Sequence, residues 1–137
     1  MRRMNILTVM LILLSIALLH GCSASKKSVE NISADDILSI TIAELPDGKP
    51  ISCPDNEIRS FVKAFNKATL YRNDVGTTPP YRVEVKFRDG STLIVWGYTQ
   101  GFATIKKEDG EQQNIRGSAL RRWFARNSKR AKSNQLL

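Results

Sequence analysis

A chain of 137 residues, 42% hydrophobic and 25% charged, suffices for one folded domain and little more. Two cysteines exclude a disulfide-rich scaffold, and a formal charge of +8, from 21 Lys and Arg against 13 Asp and Glu, calls for an account of where the excess sits.

The first element is an export signal. Met1-Arg2-Arg3 is followed by an apolar run, Ile6 to Leu19, that only Thr8 and Ser15 interrupt. A basic start, a short apolar stretch and a small residue at the break make a signal peptide. The run falls short of the roughly 20 residues a membrane span needs. It closes on Leu19-His20-Gly21-Cys22. These residues resemble the lipobox of bacterial lipoproteins, with Leu at −3, Gly at −1 and Cys as the first mature residue; His20 departs from the small residue usual at −2. The resemblance implies cleavage after Gly21, a diacylglyceryl thioether on Cys22 and acylation (palmitate or a similar chain) that holds the protein at a membrane. It also leaves Cys53 without an intramolecular partner.

Residues 22–36 then read as a lipidated flexible tether, Ser-rich and charged, with Val29 and Ile32 its only sizeable apolar side chains. The folded domain is expected over residues 37–126 and a basic, disordered tail over 127–137. The excess charge belongs to the C-terminal end. Arg116, Arg121, Arg122, Arg126, Lys129, Arg130 and Lys132 meet no acid after residue 115. Nucleic acid is excluded as a partner for a lipoprotein facing away from the cytoplasm; anionic phospholipid or wall polymer suits this end better.

Within the domain, three Asp-Gly pairs (47–48, 89–90 and 109–110) separate runs of strand-forming residues, which predicts hairpins with type I′ turns. The middle hairpin is clearest: Tyr81, Val83, Val85 and Phe87 alternate with Arg82, Glu84, Lys86 and Arg88, so one face meets a core and the other water. Between the first two hairpins, Ile58, Phe61, Val62 and Phe65 make an amphipathic stripe in a helix that Asp55 or Ser52 caps. Pro79 and Pro80 break the following stretch into a loop. A second helix starts near Ser118, with Leu120, Trp123 and Phe124 on one arc and Arg121, Arg122 and Arg126 opposite. The order ββαββββα predicts an α+β fold, a small antiparallel sheet with two helices packed on one face.

Catalytic chemistry finds little footing. The one histidine, His20, leaves with the signal, so the mature chain lacks an imidazole for a triad or metal site. The acids lie at turns and helix starts without calcium-loop spacing. No phosphate-binding loop or Ser-nucleophile motif occurs. The expectation is a non-enzyme with no cofactor and no metal. Candidate binding residues are Trp96, Tyr98 and Phe102, in a Gly-rich turn that equally suits a tight connection with Trp96 in the core, and Arg121, Arg122 and Arg126, on a helix that packs on the sheet or lies on lipid. In overall layout the chain resembles small lipoproteins of Gram-positive bacteria. The reading is a monomeric, lipid-anchored binding or interaction module on the extracytoplasmic face of the cell membrane. Two alternatives stand beside it: an envelope-maintenance or stress protein whose basic C-terminus engages anionic phospholipid or wall polymer, and a thiol-dependent activity at Cys53.

Overall fold

The computed structural model describes residues 30–106 and 109–135. The expected signal peptide, lipobox and first part of the tether lie outside them. Seven strands form one antiparallel sheet: β1 (Ile37–Glu44), β2 (Ile51–Ser52), β3 (Thr69–Tyr71), β4 (Tyr81–Phe87), β5 (Thr92–Gly97), β6 (Phe102–Lys106) and β7 (Gln112–Arg116). Their spatial order is β2-β1-β4-β5-β6-β7-β3. Helix α1 (Asp55–Lys67) links β2 to β3, and α2 (Ser118–Gln135) follows β7. Every expected element is present in the expected order, so the fold is α+β, with one further short strand, β3. The expected order ββαββββα holds no strand at Thr69–Tyr71. Ala68 turns to extended backbone, and Thr69, Leu70 and Tyr71 then pair with Arg116, Ile115 and Asn114.

Alternation sets which side chains are buried. Ile40 and Ile42 of β1 face Val85 and Val83 of β4; Val83 and Val85 face Val95 and Leu93 of β5. Ile105 and Ala103 of β6 and Ile115 of β7 continue the same face, against which the helices pack. Trp123, Phe61, Phe65 and Phe124 are the largest fully buried side chains. Phe61 and Trp123 meet edge-on with centroids 4.9 Å apart, and Trp123 meets Phe124 at 5.3 Å. The Trp123 indole donates to the Glu57 carbonyl at 3.0 Å, so its polar edge is satisfied inside the core.

Several local expectations are corrected. At the Asp89-Gly90 turn only glycine takes positive φ, +91°. Gly90 N–H bonds the Phe87 carbonyl and Phe87 N–H bonds the Ser91 carbonyl, which is a three-residue loop with a glycine bulge rather than a type I′ turn. Asp89 instead accepts hydrogen bonds from the backbone and hydroxyl of Ser91. Pro54, not Asp55 or Ser52, precedes α1 as its cap residue, and its carbonyl accepts the Glu57 and Ile58 N–H groups. Residues 127–135, expected to be disordered, continue α2, where Asn127, Ser128 and Ala131 are buried. The segment Ile32–Asp36 joins the fold on the helical side: Ile32 exchanges two 2.9 Å hydrogen bonds with the Asn66 side chain of α1.

Candidate functional site

Among the described residues no helix covers the second face of the sheet. Strand alternation brings Arg82, Trp96, Thr104, Asn114 and Tyr71 into one row across five strands, since Arg82 pairs with Trp96, Trp96 with Thr104, Thr104 with Asn114 and Asn114 with Tyr71. Phe102, opposite Arg116, lies in the next row. The Phe102 and Tyr71 rings are 4.8 Å apart. Guanidinium groups cap both aromatic centres, Arg116 5.3 Å from the Tyr71 ring and Arg82 5.8 Å from the Trp96 ring. Trp96, Phe102 and Tyr71 are each half-buried, so each keeps ring surface toward solvent.

Polar groups hold this surface in shape. Thr104 donates its hydroxyl hydrogen to the Asn114 side-chain carbonyl at 2.7 Å, and the Asn114 amide donates to the Asn73 carbonyl. The second bond ties the loop after β3 to the row. Tyr98 fastens the same loop further along, its hydroxyl donating to the Thr77 carbonyl at 3.1 Å. Glu84 bridges Arg82 and Lys86 along β4. At the edge of the face a groove of about 470 Å³ runs past Phe102, Arg116, Lys67 and Arg121.

The sequence candidates therefore separate. Trp96 and Phe102 lie together on the open face, and Trp96 is not in the core. Arg121 borders the groove beside Phe102. Tyr98 is buried and fixes a loop. Arg122 is exposed on the far side of α2. Arg126 is engaged, with its guanidinium 3.3 Å from both Glu57 carboxylate oxygens and 3.0 Å from the Ser60 hydroxyl. Tyr71, Arg82 and Arg116 were missed. Arg82 carried a signal, since the alternation of β4 already put it on the solvent face; Tyr71 and Arg116 join the face only because β3 pairs with β7.

Cys53 sits on the other side of the sheet. It is buried beside Asn127, and its thiol donates a long 3.9 Å bond to the Asn127 side-chain carbonyl. Burial pushes the thiol up to about 11, against a smaller lowering by Arg130, so it is protonated at neutral pH. A second concavity, about 550 Å³, has Ile32, Phe65, Phe87, Leu93 and Ile105 among its walls. Among the described residues no three His, Cys, Asp or Glu side chains converge to hold a metal ion, and no helix is long and apolar enough to cross a membrane. In comparisons with known proteins, no family model, no curated protein and no solved structure matches the chain.

Proposed function

We propose that the protein is a lipid-anchored, non-catalytic binding module held at the extracytoplasmic face of a bacterial membrane, and that the uncovered sheet face is its binding surface. One observation carries the binding reading. Three aromatic rings and two arginines share a face that the described residues leave open, although aromatic side chains are ordinarily withdrawn from solvent into cores or interfaces. Such a surface suits a ligand that lays a flat apolar face on the rings and offers anionic or carbonyl oxygens to the guanidiniums. The lipobox resemblance at Cys22 supports the location. The protonated, buried state of Cys53 weighs against nucleophilic thiol chemistry.

The test uses the lipidated protein, solubilised from membranes in mild detergent, as bait. Trp96→Ala and Phe102→Ala remove half-exposed rings and should leave folding intact while losing the species that the wild type retains. Equal retention by both variants would contradict the sheet face as the binding surface. In parallel, Cys22→Ala should abolish fatty-acid labelling and signal cleavage; normal labelling would contradict the anchor.

A further inference from the structure

We infer that the helical layer is the membrane-facing side of the domain, lying against the anionic headgroups of the bilayer that holds the protein's own lipid. The inference rests on the lipid-anchor reading and adds to it an orientation.

The first observation is where the charge lies. Arg59, Lys63 and Lys67 recur every fourth residue of α1 and are all exposed, so they line one solvent stripe. On α2, Arg121, Arg122, Arg126, Lys129, Arg130 and Lys132 are exposed while Leu120, Trp123, Phe124, Asn127, Ser128 and Ala131 are buried. At 100° per residue the basic side chains fill the half of the helix that faces away from the core. Against these nine bases the two helices carry two acids, Asp55 and Glu57, and Glu57 is bound to Arg126. The rest of the chain after Gly21 holds ten bases and eleven acids, so the whole positive excess of the mature chain is on the helical layer. An anionic surface is the complementary partner.

The second observation is where the chain joins the fold. Ile32 is clipped to Asn66 of α1, and Ile32 and Ala34 pack against the core that the helices cover. The lipid-bearing residue is thus connected from the helical side. Seven residues lie between Cys22 and Glu30, eight steps with a reach of at most about 26–29 Å, which keeps the helices within contact distance of the leaflet. Each basic residue close to an anionic leaflet shifts such an equilibrium by about fivefold, so a few suffice to orient a domain that is already anchored. With the helices down, the aromatic sheet face points away from the membrane.

The experiment uses full-length lipidated protein in vesicles whose headgroups carry a fluorescence quencher. Ala125→Cys places a label on the solvent arc of α2, and Gln112→Cys places one on the uncovered sheet face; both positions are exposed. Cys53 is buried and Cys22 is alkylated, so the new thiol takes the label. In phosphatidylglycerol-containing vesicles at low salt, quenching at position 125 should exceed that at position 112. The difference should vanish in phosphatidylcholine vesicles, in about 1 M salt, where the Debye length is about 3 Å, and on adding Arg122→Glu, Lys129→Glu and Lys132→Glu to the Ala125→Cys protein. Equal quenching at both positions in anionic vesicles, or stronger quenching at 112, would overturn the orientation. Loss of the contrast on adding soluble poly(glycerol phosphate) at matched phosphate concentration would overturn the bilayer as the occupant and assign the helical face to an anionic polymer. Flotation of the protein with vesicles in high salt reports the anchor separately, so failure of the anchor and failure of the orientation are told apart.

Discussion

Glu57 joins the two helices. Its carboxylate accepts from Arg126 and from the Asn127 amide, and its backbone carbonyl accepts from Trp123. Burial by itself raises its pKa, but the hydrogen bonds from Asn127 and Arg126, with the charges of Arg126 and Arg130, outweigh burial and hold it below the usual carboxylate value. A carboxyl depressed in this way contributes stability that is fully present above its unfolded pKa, about 4.3, and is lost as pH falls through the folded value. Glu57→Gln should therefore flatten the acid side of the stability profile in thermal melts between pH 2 and pH 7. Parallel wild-type and variant profiles below pH 5 would contradict the linkage. Glu57→Ala should cost about 1–3 kcal/mol at neutral pH, because it strips an acceptor from the buried Asn127 amide. None of this was visible in the sequence, where Glu57 reads only as a favourable charge at a helix start. Its partners are about seventy positions away.

Helix α2 is longer than its apolar content suggests. The stripe of Leu120, Trp123 and Phe124 continues through Asn127, Ser128 and Ala131, two of them polar and one small, so the periodicity fades where the packing does not. Gly97 shows how close that packing is: a methyl group there would occupy the space of the Phe124 ring. Gly97→Ala should cost about 1–3 kcal/mol by overpacking, measured by denaturant unfolding. Truncation after Asn127 should remove more than a tail. Loss of the buried Ala131 and the last turns costs on the order of 1 kcal/mol, a drop of about 4–8 °C in the melting temperature of so small a domain. An unchanged Tm would mean that residues 128–135 are not docked. The long elements were legible because alternation and the 3.6-residue stripe extend over enough positions to be read. Strand β3 was not, since three residues hold no period and its pairing with β7 is a tertiary fact. The bulged turn at Gly90 escaped for a related reason: Asp-Gly announces a hairpin but leaves its loop length open.

The molecule as a whole has two unlike sides. One is a helical layer that carries the positive excess, and the other is a bare sheet whose aromatic rings run from Trp96 on β5 to Tyr71 on the edge strand β3. Two residues of that bare side, Trp96 and Phe102, are legible in an aromatic, glycine-rich turn, but Tyr71 joins them only when β3 closes the far edge of the sheet. On the proposed function, this bare face is where a partner binds. Photo-crosslinking in intact membranes tests it most directly. A photoreactive phenylalanine analogue is placed at Ile94, two residues before Trp96 on the same face, or at Ala125 on α2. A discrete crosslinked species is expected from position 94, lost when Phe102→Ala is added, and no such species from position 125. A species captured equally from both positions, or from 125 alone, would contradict it.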